Sequence, residues 1–133
     1  MTSTMTSTTQ DSKDVVLAFY ERYNARDVEG AMAYVGDTYI QHNPWVADGP
    51  EGFRRFVTFL RDHFPDGRNE IKQVIAEGDR VALHVHSRRV PGETGRTIFD
   101  VFRVEDGRIV EHWDVVQHIP DLIYPPINDN GYF

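Results

Sequence analysis

Two periodicities divide the chain. Up to about residue 64, apolar side chains recur three and four apart, and from residue 69 to 117 they alternate. In the first part, Val15, Val16, Phe19, Tyr20 and Tyr23 make one apolar face of a helix that Ser12 would cap and that would run to about Arg26. Asp27 can cap a short second helix to about Val35, with Ala31, Met32 and Val35 inward and Gly36 ending it. Residues 39–41 read as a short strand, broken by His42-Asn43-Pro44, because Pro44 donates no ladder bond and restricts Asn43. Asp48-Gly49-Pro50-Glu51 starts a third helix: Asp48 caps, Pro50 sits in the first turn and Glu51 lies three residues after the cap. Phe53, Phe56, Val57, Leu60 and Phe64 follow at helical spacing, and Pro65 closes the helix.

The second part reads as four strands, over residues 69–77, 80–90, 97–105 and 108–117. Gly78-Asp79, Pro91-Gly92 with Thr94-Gly95, and Asp106-Gly107 are the turn signals between them, and such short connections require antiparallel neighbours. Helices that precede a strand meander indicate an α+β fold. The expected arrangement is a curved, mainly antiparallel sheet around three helices from the N-terminal half, with a pocket at the open end. Residues 1–11, mostly Thr and Ser, read as a disordered tail, and residues 12–133 as a single domain. The stretch after Ile119 carries Pro120, Pro125, Pro126 and Gly131 and is expected to be irregular.

Charge and composition narrow the function. A net charge of −7 disfavours nucleic acid and anionic membrane surfaces as partners. The absence of cysteine excludes disulfides, thiolate nucleophiles and cysteine metal sites. No apolar run reaches the length of a membrane span, and the N-terminus has neither the charged start nor the apolar centre of a signal peptide. A cytoplasmic protein is the simplest expectation.

The chemistry concentrates in the strands. His112 and Asp114 alternate onto one face of the last strand, with Val110 and Val116 beside them. The Asp106-Gly107 turn would set Asp100 across from them. Placing Ala82, His84, His86 and Arg88 on the same side gathers His84, His86, Asp100, His112 and Asp114 on one face. His42 and Asn43 would reach its mouth. Each member also has a purely structural reading: a strand histidine is usually a satisfied core or rim group, and an Asp–His pair can satisfy itself without reacting. Tyr20, Trp45, Phe56, Ile98 and Phe102 would form apolar walls. This assignment leaves Leu83, Val85, Phe99, Val101, Trp113 and Val115 on the opposite face, which is too apolar for water. Either that face packs on a second subunit, making a homodimer, or the two faces are exchanged.

The segments Tyr39-Ile40-Gln41-His42-Asn43-Pro44, the helix over 48–64, the turn Ala76-Glu77-Gly78-Asp79-Arg80-Val81 and the hairpin over 100–116 resemble those of SnoaL-like proteins. These belong to the nuclear-transport-factor-2-like superfamily. The ending Asn128-Asp129-Asn130-Gly131-Tyr132-Phe133 is similar to the close of a bacterial branch described as aldol-condensation enzymes. The resemblance spans about residues 12–133. It implies a conical α+β barrel with a deep apolar pocket, usually dimeric, in which an acidic residue near the last strands removes a proton beside a carbonyl while a histidine assists. Asp114 with His112 matches that pair and Asp100 is a second acid, although some relatives carry the acid where this chain has Gln117.

The expected activity is therefore cofactor-free acid–base catalysis on a small apolar or carbonyl-containing substrate, of aldol, cyclisation or isomerisation type. Asp114 or Asp100 would be the base, and His112 or His86 would hold or protonate the enolate oxygen. A carboxylate between apolar walls gains proton affinity, which suits a base near neutral pH. Two alternatives remain open: a binding module whose polar groups only orient a ligand, and a metal enzyme using His84, His86, His112 and Asp114.

Overall fold

The computed structural model describes residues 2–119 and 126–133, with side chains from residue 8 onward. Helix α1 spans Thr2–Asn24, α2 Val28–Met32 and α3 Gly49–His63. The strands are β1 Val35–Gln41, β2 Arg68–Glu77, β3 Arg80–Arg88, β4 Arg96–Glu105 and β5 Arg108–His118. The order across the sheet is β1-β5-β4-β3-β2, with β1 parallel to β5 and the other neighbours antiparallel. The expected α+β architecture, three helices against a curled and mainly antiparallel sheet, is what the chain adopts.

Short turns place the long strands. Glu77 pairs with Arg80 around Gly78-Asp79, and Glu105 with Arg108 around Asp106-Gly107. Asp106 and Gly107 have φ of 51° and 74°, the two left-handed positions a type I′ hairpin turn demands. The helices then cover the concave face. Val16, Phe19 and Tyr20 of α1, and Phe53 and Val57 of α3, pack against Val81, Leu83, Val85 and Phe102 of the sheet. Asn24, at the end of α1, donates to the Asn69 carbonyl and accepts its N–H, so the helix is pinned to the first turn of the meander.

Several local expectations are corrected. Ser12 is buried inside α1, which starts at Thr2, so it caps nothing; the Thr9 hydroxyl instead accepts from the Gly78 N–H and ties the extra turns to the β2–β3 turn. Asp27 does cap α2, accepting from the Gly30 N–H. That helix stops at Met32, however, and Val35 and Gly36 open β1 instead of closing the helix. Asp48 precedes α3 as expected, but its carboxylate accepts the Gln41 N–H at 2.8 Å and makes no cap bond to the helix. Residues 126–133 hold no regular element, and residues 120–125 of the expected irregular tail lie outside the described residues.

The largest correction concerns β3. Leu83 sits opposite Asp100, Val85 opposite Ile98 and Val81 opposite Phe102. These three β3 residues are fully buried, so they face the core, and His84 and His86 face outward. The seven-residue connection from Arg89 to Gly95 sets this register. A shift of one residue there exchanges the faces. Apolar burial decides it, because three fully buried aliphatic side chains outweigh two histidines that find partners outside. On β5, an irregularity between Arg103 and Val104 turns Ile109 into the core in place of Val110.

Leu83→Ala should therefore destabilise the fold by about 2–5 kcal/mol through loss of burial and a residual cavity. Ile75→Ala, on a side chain 61% exposed, should cost less than about 1 kcal/mol. Urea unfolding measures both, and equal costs would contradict the register.

Candidate functional site

A cavity of about 130 Å³ lies between the helices and the concave face, well above the ~10–15 Å³ that one water needs. Phe19, Tyr20, Tyr39, Phe53, Phe56 and Phe102 supply its aromatic wall, and Ile98 and Val116 continue it along the sheet. Into it project Asp100, His112 and Asp114. The register requires this: Asp100 is directly opposite Asp114, and Phe102 opposite His112, and cross-strand partners share a face.

The hydrogen bonds determine what each group can do. His112 Nε2 is 2.8 Å from Asp100 Oδ1, and its Nδ1 is 2.8 Å from Gln41 Oε1. The Gln41 amide is oriented by its neighbours, since Oε1 accepts the Asn43 N–H and Nε2 donates to the Tyr39 hydroxyl. The Gln41 oxygen can only accept, so His112 Nδ1 must carry a proton. The 2.8 Å contact to Asp100 needs one further proton, on Nε2 or on the carboxyl. Asp100 and His112 thus form a neutral unit with one mobile proton. Both are nearly inaccessible to solvent.

Burial raises the proton affinity of Asp100 above that of an ordinary carboxyl; the bond to His112 and its charge oppose this, and the facing Asp114 adds to it. The Tyr20 hydroxyl accepts from Asn69 Nδ2 at 2.9 Å. Burial likewise pushes the Tyr20, Tyr23 and Tyr39 phenols well above their usual value, with the charge of Asp100 contributing. They are O–H donors at neutral pH. Asp114 is less enclosed and accepts from Asn43 Nδ2 at 3.0 Å. The two carboxyls thus face each other in different settings, Asp100 buried and bonded to His112, Asp114 more open and bonded to Asn43.

Of the residues singled out in the sequence, Asp100, His112, Asp114, Asn43, Tyr20, Phe56, Ile98 and Phe102 meet at this cavity. Four do not. His86 and His84 lie on the convex face, where the Phe133 ring is 4.7 Å and 5.0 Å from theirs and Phe99 stacks on His84 at 4.1 Å. His42 stacks on Trp113 at 4.9 Å and pairs with Glu111 at 2.7 Å, again outside. Trp45 is 89% exposed on the loop after β1, away from the cavity lining. The four-ligand metal set of His84, His86, His112 and Asp114 is thereby split between two faces of the sheet. Among the described residues, Asp100, His112 and Asp114 do bring ligand atoms within 4.8 Å of one another. Gln117, opposite Thr97, is exposed on the convex side and cannot replace Asp114 in the cavity.

Gln41, Tyr39, Tyr23 and Asn69 escaped the sequence reading. Alternation along β1 offered a signal for Tyr39 and Gln41, two residues apart on one face. The pairing of β1 beside β5, which brings Gln41 to His112, had no local signature. Arg26, Arg89 and Arg96 also line the cavity, joining Arg88.

A helix-covered, curled sheet with a carboxylate–histidine cluster inside its cavity defines a class of small pocket proteins. The SnoaL-like domain profile matches residues 16–112, and the chain belongs to that family. No curated protein matches it. Among solved structures, it is 25% identical to IdmH, a proposed polyketide cyclase from Streptomyces antibioticus, with a TM-score of 0.66 over 79% of this chain and 91% of that one. A proposed ketosteroid isomerase from Kribbella flavida aligns with a TM-score of 0.72 at 18% identity, over 91% of this chain and 85% of that one. A SnoaL-like protein of unknown function from Burkholderia thailandensis aligns at 0.70 and 18%, over 82% and 96%. The last two likenesses bear on the fold alone.

The proton on His112 Nδ1 is directly testable. Nitrogen-15 NMR of the imidazole should show Nδ1 protonated from pH 5 to 9, with Gln41→Leu removing that preference. An unprotonated Nδ1 in the parent chain would contradict the hydrogen-bond assignment.

Proposed function

We propose that the chain catalyses cofactor-free proton transfer on a small carbonyl compound, as in aldol, cyclisation or isomerisation reactions. The observation that carries this reading is the facing pair of carboxyls, one joined to His112 and buried, the other more open, within an aromatic cavity. Asp114 takes a proton from the carbon beside the carbonyl. The Asp100–His112 unit supplies its mobile proton to the developing enolate oxygen. The aromatic wall excludes water, so the charge that develops is met by fixed donors. The activity proposed for IdmH, 25% identical to this chain, suits this chemistry.

Exchange of the α-hydrogens of 2-octanone for deuterium, followed by NMR, tests it. Asp114→Asn should slow the catalysed exchange by about 10²–10⁴-fold, the range for a positioned base. Asp100→Asn should retain the bond to His112 but lose the mobile proton, with a loss of about a hundredfold. Undiminished exchange in both variants would refute the assignment. Thermal stabilisation by the ketone with no exchange in the parent chain would favour a ligand-binding module. Exchange that appears only with added divalent cation would favour a metal held by Asp100, His112 and Asp114.

We also propose that the convex face joins two copies of the chain. Phe99 of β4, Val115 of β5 and Ile75 of β2 are 50%, 73% and 61% exposed there. Sedimentation should give a dimer that Val115→Arg converts to monomer; a monomeric parent chain would exclude the association.

A further inference from the structure

One end of the cavity is built of arginine. Arg26 lies between α1 and α2, Arg88 ends β3, Arg89 follows it and Arg96 opens β4, and all four line the cavity; Arg68, at the start of β2, stands beside them. Five of the chain's fourteen basic residues thus gather in one place on a molecule of net charge −7. Their compensation is sparse. Arg26 is 7% exposed, and among the described residues its guanidinium donates only to the carbonyls of Phe64 and Tyr23. Arg68 donates to the carbonyls of Pro65 and Gly67, and Arg88 to that of Glu93. Arg89 lies 5.3 Å over the Phe64 ring. Among the described residues, Glu93 is the one carboxylate paired with any of the five, at 3.2 Å from Arg96 Nη2. Its other oxygen is spent on the N–H groups of Arg89 and Val90. The contact to Arg96 lacks hydrogen-bond geometry, and Nη2 is buried without any other partner among the described residues.

Burying guanidinium groups with so little negative charge is unfavourable unless an anion completes the site. Arg96 and Asp100 share the concave face of β4 four residues apart, roughly 13 Å along the strand. We propose that this end of the cavity is a subsite for an oxyanion, a carboxylate or a phosphate, carried by the substrate about 10–13 Å from its reacting carbonyl, a span set by the strand rise. The substrate class is then an amphipathic keto acid or keto phosphate with an apolar middle. The carbonyl lies against Asp114 and Asp100, the middle against the aromatic wall, and the oxyanion between Arg96, Arg89 and Arg26. The guanidinium forks favour such planar or tetrahedral oxyanions over neutral polar groups. This inference rests on the proton-transfer reading for its placement of the carbonyl, and its anion subsite stands apart from it.

Calorimetry on the full chain tests the subsite with three probes: 9-oxodecanoate, its methyl ester and 8-oxononyl phosphate. At low salt, one oxyanion or both should bind at least tenfold tighter than the ester, and the tighter of the two names the group preferred. Added salt should shrink the preference. Arg96→Gln and Arg89→Gln should each reduce it, and the double variant should abolish it with the affinity for the ester unchanged. Asp114→Asn should retain it, so that loss of exchange without loss of preference would count against the chemistry alone. Binding of both oxyanions less than tenfold tighter than the ester, a preference that survives the double variant, or no binding of the oxyanions at millimolar concentration would overturn the subsite.

Discussion

The bond between His112 and Asp100 is the constraint around which the cavity is organised. A carboxyl in the middle of Ile98-Phe99-Asp100-Val101-Phe102 is tolerated inside the protein only with a proton or a partner, and His112 provides both. Satisfying His112 in turn requires an acceptor on its other nitrogen. That acceptor is Gln41, whose amide is held by Asn43 and Tyr39. The parallel docking of β1 against β5, the turn after Gln41 and the position of Asn43 over Asp114 therefore belong to one connected arrangement.

The electrostatics of the cavity are graded from this centre. Near the pair, the hydroxyls of Tyr20 and Tyr39 and the carboxyls of Asp100 and Asp114 offer donors and acceptors. At the far end, the arginines present positive charge with a single carboxylate among the described residues to offset it. An apolar aromatic stretch separates the two ends. A molecule that is polar at both ends and apolar between would match this gradation, and the β4 backbone from Arg96 to Asp100 keeps the two ends at a fixed separation.

Much of the fold was legible because it rests on local rules. Period-two alternation and the glycine turns gave all four long strands within two residues; Asp100 shares a face with His112 and Asp114 as expected, but through the irregularity beside Val104, since an unbroken register from the Asp106-Gly107 turn would set it opposite Trp113. The start of α3 and the cap at Asp27 were equally local. The errors have local causes too. Val35 and Gly36 fit the end of a helix as well as the start of a strand, and Ser12 resembles a cap wherever the segment before it lacks an apolar stripe.

What the sequence determined by itself was the set of elements and their α+β class, because alternation, caps and glycine turns are local signals; the meeting of Asp100 with His112 and Asp114 depends on the extra residue of β5 beside Val104, which shifts the register that the two-residue turn alone would set. What only the tertiary structure decided was which way β3 faces and what lies beyond it. Its partner strand follows a seven-residue connection that alternation cannot measure, so Leu83 rather than His84 came to lie opposite Asp100. The docking of β1 beside β5 and the convergence of Arg26, Arg88, Arg89 and Arg96 depend likewise on contacts between residues far apart in the chain, for which packing is the only arbiter.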